Sequence, residues 1–349
     1  VGAVMGDDRA GLTELMGEVV QRGQQVGPLL LMVQDEALAL PDLLVALQRF
    51  GVSGPQLGDG VVQKPPPLHR PGPDQKQILR AEQHAREHAG KGGAAALSAR
   101  WRAGANSERE EYTVDLKKLL NEKEFIFLDG GMGTMLQAAG LAAGENPELL
   151  NLTHPEQIEE INLKYIEAGA DIFYCNTFGG NRLKLAATGK SVDEIIGAAV
   201  EIAQRAKARA SRTAYCALDI GPTGQLLEPN GSMKFEEAYD VFKEMVLAGK
   251  DADVIVIETM TDLLEAKAAL LAAKENSDLP VLVTMTFEEN MRTFTGCGVE
   301  SMTMTLGGLG ADAIGINCSL GPRELRPVVE QVCAHTNLPV IIKPNAGLP

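Results

Sequence analysis

Long apolar runs and basic residues are both scarce in this 349-residue sequence. No stretch approaches the roughly 18 uninterrupted apolar residues of a membrane-spanning helix, and the first ten residues lack the basic-then-apolar pattern of a secretory signal. The sequence has 32 Lys and Arg against 47 Asp and Glu, a net charge of -15. Affinity for phosphate backbones rests on clustered basic residues. We therefore expect a soluble, cytoplasmic protein with no nucleic-acid or membrane partner.

Cysteine is scarce as well, and its spacing is irregular. The five cysteines are Cys175, Cys216, Cys297, Cys318 and Cys333. An odd number without close pairs argues against a disulfide framework. Free thiols and metal ligands therefore remain open as roles for these residues.

Isoleucine and phenylalanine are almost missing from the first third of the chain. Residues 1–113 hold one Ile, one Phe and ten Gln, whereas residues 114–349 hold fifteen Ile and five Gln. Proline and glycine clusters between positions 65 and 73 oppose regular structure. We interpret residues 1–113 as a low-complexity N-terminal extension that is disordered or not native, with one apolar helical patch at 29–47.

One short motif in this extension matches a metal-binding pattern. His84 and His88 lie one helical turn apart with Glu87 between them, which is the H-x-x-E-H arrangement of some zinc enzymes. Such a site also needs a third ligand on a second helix in a packed domain. No apolar face surrounds the motif, so we interpret it as part of a solvated, charged helix or coil.

Residues 114–349 alternate short apolar runs with amphipathic helices. The helices are predicted at 155–168, 192–210, 235–247, 263–274 and 324–335. The runs are typical of strands buried on both faces, and they span 125–129, 172–178, 214–220, 254–260, 281–287, 313–318 and 340–343. No Gly-x-Gly-x-x-Gly turn follows the first run, which disfavours a dinucleotide-binding sheet. The pattern predicts an α/β fold, a (β/α)₈ TIM barrel truncated after about seven strands.

Polar residues and glycines follow the apolar runs. Asp129, Asn176, Glu258 and Cys318 each lie among the last three residues of a run. Because the chemistry of such barrels lies at the carboxyl ends of the strands, these residues are expected to share one mouth. The arrangement favours a small polar ligand held by carboxylates, amides and backbone N–H groups.

Six motifs at these strand ends resemble those of one family. They are Leu-Asp-Gly-Gly-Met-Gly-Thr at 128–134, Cys-Asn-Thr-Phe-Gly-Gly-Asn-Arg at 175–182, Asp-Ile-Gly-Pro-Thr-Gly at 219–224, Ile-Glu-Thr at 257–259, Gly-Ile-Asn-Cys-Ser-Leu-Gly-Pro at 315–322 and Pro-Asn-Ala-Gly at 344–347. This part of the chain resembles the homocysteine S-methyltransferase family, and within it the homocysteine-binding barrel of cobalamin-dependent methionine synthases. Six ordered motifs make a chance match very unlikely.

The resemblance implies a zinc ion held by three cysteine thiolates, with the thiol of homocysteine as the fourth ligand. Coordination removes the proton from the thiol and so makes the nucleophile. Cys318 matches the first of the three ligands. The other two form an adjacent pair after the eighth strand in the family, and this sequence contains no such pair.

The resemblance also implies roles for residues around the substrate. Asp129 and Glu258 match the carboxylates that receive the ammonium group of homocysteine. The remaining substrate-binding positions are Gly130, Asn176, Thr177 and Ser319. Methylcobalamin is implied as the methyl donor, and cobalamin-binding and folate-binding modules as the partners of the barrel.

Two other interpretations remain open at the level of sequence. Lys343 ends the seventh run, where a lysine with a pKa lowered by burial would attack a carbonyl, as in Schiff-base aldolases. Alternatively, a chain with one zinc ligand of three is a truncated fragment that catalyses nothing.

Overall fold

The computed structural model describes residues 118–119, 123, 125–142 and 144–345, together with the backbone of residues 29–31. The motif from His84 to His88 and the rest of the predicted patch at 29–47 lie outside the described residues. Among the residues that are described, no helix is both long and apolar enough to cross a membrane.

Eight parallel strands of the described residues form one closed sheet. They are β1 (Leu29–Leu31), β2 (Phe125–Phe127), β3 (Ile172–Tyr174), β4 (Tyr215–Ile220), β5 (Val254–Met260), β6 (Val281–Met285), β7 (Ala313–Asn317) and β8 (Val340–Lys343). Their order is β2-β1-β8-β7-β6-β5-β4-β3, and a parallel bridge between Leu128 and Ile172 joins the two ends. All seven predicted runs form strands, and the α/β barrel is confirmed.

The gap that the sequence predicted between β8 and β2 is filled by an additional strand, β1. The sequence predicted a barrel that stops after seven strands, with residues 29–31 in a helical patch. Leu29–Leu31 instead forms β1, in which Leu29 pairs with Phe125 on one side and with Val340 on the other. In this position β1 supplies hydrogen-bond partners to the backbone edges of both β2 and β8. These long-range hydrogen bonds outweigh the helical preference that the local sequence suggested.

The helices cover the outside of the barrel. They are α1 (Met132–Ala138), a 3₁₀ turn (Pro147–Leu149), α2 (Leu150–Thr153), α3 (Pro155–Ala168), α4 (Arg182–Leu185), α5 (Val192–Arg209), α6 (Phe235–Ala248), α7 (Leu263–Asn276), α8 (Val299–Gly308) and α9 (Pro322–His335). The five predicted helices agree with α3, α5, α6, α7 and α9 within a few residues, whereas α1, α2, α4 and α8 were not predicted. Helix α3 has Pro155 in its first turn and stops at Gly169, whose φ of 116° is left-handed, as the sequence predicted.

The barrel interior changes from apolar to polar along the strands. Alternate strand residues form an inner apolar cluster, which includes Ile126, Ile172, Ala217, Val256, Leu282 and Ile341. Because side chains two apart share a face, the next inward positions are further along the same strands. Those positions are polar and buried, and they carry Asp219, Glu258, Thr284 and Lys343. The polar layer lies at the carboxyl ends of the strands.

Three aspartates fasten neighbouring strands at the opposite end of the barrel. Each follows an alanine and precedes β3, β5 or β7, and each makes two hydrogen bonds to one residue of the preceding strand. Its backbone N–H donates to that residue's C=O, and its carboxylate accepts that residue's N–H. The pairs are Asp171 with Phe127, Asp253 with Cys216 and Asp312 with Val281, with N···O distances from 2.7 to 3.0 Å. The Ala-Asp dipeptide that recurs before an apolar run is a sequence signal for this pair of hydrogen bonds between neighbouring strands.

Replacing Asp253 by alanine is expected to lower the free energy of unfolding by about 3 kcal/mol. The change leaves the buried N–H of Cys216 without its acceptor and removes the partner of Lys207. Urea denaturation monitored by circular dichroism measures the loss. Asp278→Ala, at an exposed position before β6, is the control and should change stability by no more than about 0.5 kcal/mol. Equal effects of the two substitutions would contradict the fastening role.

Candidate active site

Asp129 is a buried carboxylate at the end of β2. Only 3% of the residue is exposed, and its Oδ2 accepts the N–H of Tyr174 at 2.7 Å. Its Oδ1 is buried and has no hydrogen-bond partner among the described residues. Burial raises the pKa of Asp129 to about 7, against the opposing effects of Lys343 and the Tyr174 N–H. At neutral pH this side chain therefore exchanges readily between its acid and carboxylate forms.

Gly130 lets the chain pass close to helix α3 directly after Asp129. A Cβ at this position would lie 2.8 Å from the hydroxyl oxygen of Tyr165, and that hydroxyl donates to the C=O of Gly131 at 3.2 Å. A side chain here would push the loop away and move Asp129 with it. The predicted contact of Gly130 with substrate stays a prediction.

Glu258 and Lys343 form a buried ion pair across the mouth. The Nζ of Lys343 lies 2.8 Å from Oε2 of Glu258 and 4.4 Å from the centre of the Tyr174 ring. Burial works to lower the pKa of Lys343, but the charges of Glu258 and Asp129 outweigh it and raise that pKa. The amine is therefore an ammonium ion at neutral pH. The ion pair with Glu258 and the raised pKa both disfavour the Schiff-base interpretation of Lys343, which needs an unprotonated amine.

Asp219 is a third buried carboxylate in the mouth, and the sequence analysis did not select it. It lies on β4, two residues after the inward Ala217, and is 6% exposed. Its Oδ1 has no hydrogen-bond partner among the described residues. Burial, followed by the charge of Glu258, raises the pKa of Asp219 well above its ordinary value. The two-residue spacing from an inward strand position was the signal that could have found it.

Asn317 holds Cys318 at the end of β7. Its amide donates to the Thr259 hydroxyl at 2.7 Å and to the Cys318 Sγ at 3.3 Å. Its carbonyl accepts from the Thr259 N–H at 2.9 Å and from the Thr284 hydroxyl at 2.8 Å. Cys318 and Ser319 have φ angles of 60° and 66°, in the left-handed region. Three strands thus position one N–H donor against the half-buried thiol.

Asn176 and Thr177 lie near the mouth, but their polar groups hold the protein together. The Asn176 amide donates to the Pro147 C=O at 2.8 Å and to Asn151 Oδ1 at 3.0 Å. The Thr177 hydroxyl donates to the Asp219 C=O at 2.8 Å and accepts the Asp219 N–H at 3.0 Å. Ser319 is exposed beside Cys318. Direct contacts of these three residues with a substrate stay predictions.

The other cysteines do not gather around Cys318. Cys175 and Cys216 are buried in the core, whereas Cys297 and Cys333 are half-buried. Within the described ranges, no group of three or more Cys, His, Asp or Glu side chains could hold a metal ion. Those residues therefore supply one thiol of the three that the resemblance implies.

A second set of charged side chains lies beside Asp219. Glu148 accepts the N–H of Gly179, and burial raises the pKa of this carboxyl. The Lys184 ammonium lies 5.0 Å from the centre of the Phe178 ring, and its partial burial lowers the pKa of this amine despite nearby Glu148 and Asp219. Acidic groups thus outnumber basic ones on this side of the mouth.

Comparison with known proteins agrees with this layout. The family model described as Homocysteine S-methyltransferase matches residues 126–349. The chain belongs to the homocysteine S-methyltransferase family. The match begins within β2, continues through β8 and includes every strand end that carries the side chains described above.

Curated relatives extend far beyond this chain. It is 32% identical over 266 residues to methionine synthases of Mycobacterium leprae and Mycobacterium tuberculosis, an alignment that covers 70% of this chain and 22% of each relative. The chain thus spans about a fifth of the length of these relatives.

Solved structures share the fold. The metallated form of the Escherichia coli homocysteine methyltransferase MmuM aligns with a TM-score of 0.59 at 24% identity, over 66% of this chain and 87% of that one. Its apo form aligns with a TM-score of 0.55 at 25% identity, over 66% and 86%.

Proposed function

We propose that this barrel binds homocysteine in its mouth and presents the thiol to a methyl donor, which yields methionine. The observation that carries the proposal is a buried carboxylate oxygen of Asp129 that has no hydrogen-bond partner among the described residues, in the mouth that also holds the Cys318 thiol. The ammonium group of homocysteine would bind Asp129, and its thiol would lie near Cys318. Family membership supports the same substrate.

We also propose zinc as the cofactor, with Cys318 as one ligand. When bound, zinc would lower the pKa of the substrate thiol so that the thiolate forms at neutral pH. One thiol does not complete a tetrahedral site. The described residues therefore do not hold zinc by themselves, and the proposal needs further ligands from outside them.

The side chains of the mouth have tasks that do not depend on the metal. Asp129, when ionised, receives the substrate ammonium. The Asn317 amide, 3.3 Å from the Cys318 Sγ, donates a hydrogen bond that stabilises negative charge on this sulfur. The apolar layer beneath closes the barrel floor to water.

We further propose the donor and partners that the resemblance implies. The donor is methylcobalamin carried by a cobalamin-binding module, and a folate-binding module is the second partner. The match covers 22% of the length of these curated relatives, which is consistent with additional modules.

The experiment that tests the function compares homocysteine binding by the full chain and by Cys318→Ser. In calorimetric titrations with one equivalent of zinc present, the variant should bind homocysteine at least ~10-fold more weakly. The reason is that the variant lacks the Cys318 thiolate, which is the proposed zinc ligand. Methionine has no thiol and should bind both proteins equally. Cys333→Ser, in α9, is the matched control and should bind as the unaltered chain does.

Two outcomes would contradict the proposal. One is the absence of homocysteine binding by the unaltered chain, and the other is equal affinity for Cys318→Ser. Incubation with free methylcobalamin then separates an active barrel from the inactive fragment, because only the former forms methionine.

A further inference from the structure

We propose that Lys184 is a specificity-determining residue, which covers the ring of Phe178 and thereby keeps small methyl donors with a permanent positive charge out of the mouth. Such donors carry the methyl group on a sulfonium or a quaternary ammonium centre. The assignment rests on the proposed function, since it takes methyl transfer as the reaction. It adds the class of donor that this mouth rejects and the side chains that reject it.

The ring of Phe178 is held at the mouth between two loops. Phe178 lies in the loop after β3 and is half-buried. Its C=O accepts the N–H of Gly221, the first residue after β4, at 3.1 Å. A Cβ on Gly221 would lie 2.5 Å from Cε2 of the ring, so only a glycine lets the backbone pass this close. The loop after β4 thus fixes the position of the ring.

Lys184 places its ammonium over this ring. Its Nζ lies 5.0 Å from the centre of the Phe178 ring, a distance at which a cation is attracted to the face of an aromatic side chain. The backbone of Lys184 is held as well, because the side chain of Asn181 caps α4 and accepts the N–H groups of Leu183 and Lys184, both at 3.1 Å. Asn181 is itself fully buried. The fold therefore determines where this lysine lies.

A permanently charged methyl donor would compete for the same ring. Sulfonium and quaternary ammonium centres have no hydrogen to donate, so proteins bind such cations with the faces of aromatic side chains. A donor placed on Phe178 would have to displace the Lys184 ammonium or stand beside it. Two like charges this close repel each other in a partly dehydrated site. The lysine that occupies the ring therefore excludes the donor.

A second aromatic ring of the mouth is covered in the same way. The Nζ of Lys343 lies 4.4 Å from the centre of the Tyr174 ring. Tyr174 ends β3 and Phe178 lies in the loop that follows, so both rings come from one strand and its loop. Because Lys343 also pairs with Glu258 at 2.8 Å, Lys184 is the better position for a test.

Acidic side chains around Lys184 predict what its removal would do. Partial burial lowers the pKa of this lysine, and the charges of three carboxylates act in the opposite direction. They are those of Glu148, Glu265 and Asp219. Without the lysine, these carboxylates and the uncovered Phe178 ring would together attract a cation. Loss of the lysine charge is therefore expected to turn an excluding surface into a binding one.

The test uses Lys184→Met in the full chain, titrated calorimetrically at pH 7 with S-methyl-L-methionine and with L-homoleucine. The two amino acids have nearly the same shape, but the first carries S⁺ where the second has an uncharged CH. The unaltered chain should bind the sulfonium compound more weakly than homoleucine. In Lys184→Met the affinity for the sulfonium compound relative to homoleucine should rise at least ~10-fold, because the repulsion is removed and the ring is uncovered.

Matched variants separate the charge from the ring. Lys184→Arg keeps a cation over Phe178 and should behave as the unaltered chain does. Lys190→Met removes a lysine from an exposed pair with Glu194 and should also change nothing. Adding Phe178→Leu to Lys184→Met should abolish the gain, because the ring supplies the new contact. Lys184→Gln is a second neutral variant, and circular dichroism checks that each protein is folded.

Three outcomes overturn the assignment. They are no gain in relative affinity for the sulfonium compound in either neutral variant, a gain that survives Phe178→Leu, and tighter binding of the sulfonium compound than of homoleucine by the unaltered chain. Parallel titrations with homocysteine separate these failures from failure of the proposed function. The unaltered chain and Lys184→Met should both bind homocysteine, and absence of that binding in the unaltered chain overturns the proposed function itself.

Discussion

Replacing Lys343 by methionine is expected to lower the free energy of unfolding at pH 8 by about 3–5 kcal/mol. The substitution keeps the length and the contact with the Tyr174 ring, but it leaves Glu258 buried without its cation. Asp129 and Asp219 lose the same compensating charge. Urea denaturation at equilibrium measures the change.

The pH dependence and a double variant identify the cause of that loss. Without Lys343 the carboxyl groups of Asp129 and Asp219 take up protons more readily, so the loss should shrink as the pH is lowered to 5. Adding Glu258→Gln should restore much of the stability, because no unpaired charge then remains at that position. Lys190→Met breaks only an exposed pair with Glu194 and is the control, with an effect below about 0.5 kcal/mol. If Lys343→Met lowered the free energy of unfolding by no more than this control does, the buried ion pair between Lys343 and Glu258 would not stabilise the protein as predicted.

Asp129→Asn is expected to make the protein more stable at neutral and alkaline pH. The pKa of Asp129 is about 7 in the folded protein against an ordinary value of 3.8. Between these values the folded state holds the proton more tightly than the unfolded state, so stability falls as the pH rises from about 4 to 7. The amide has no charge to desolvate, and its oxygen still accepts the Tyr174 N–H. The advantage of the variant should grow from near zero at pH 4 to about 4 kcal/mol at pH 8.

Unfolding curves of both proteins across this pH range provide the measurement. Asp278→Asn changes an exposed carboxylate and should follow the unaltered chain at every pH. An Asp129→Asn curve parallel to that of the unaltered chain would show that burial does not raise the pKa of Asp129. Homocysteine binding should be lost in the variant, which would make Asp129 a residue kept for binding at the expense of stability.

The sequence by itself determined the local elements and part of the mouth. Apolar runs and helical periodicity depend on neighbours in the chain, so they predicted β2 to β8 and the limits of α3. Asp129, Glu258 and Cys318 were found because each ends an apolar run within a recognisable motif. These features need no knowledge of which strands pair.

The tertiary structure alone decided which of these groups meet. Lys343 and Glu258 are 85 positions apart, and only closure of the barrel places the ammonium against the carboxylate and removes water from both. That contact disfavours the Schiff-base role. Within the part of the chain that the structure describes, one oxygen each of Asp129 and Asp219 has no hydrogen-bond partner. Residues 29–31 form β1 for the same reason, because strand edges on either side of a gap offer backbone partners that no local pattern in three leucines reveals.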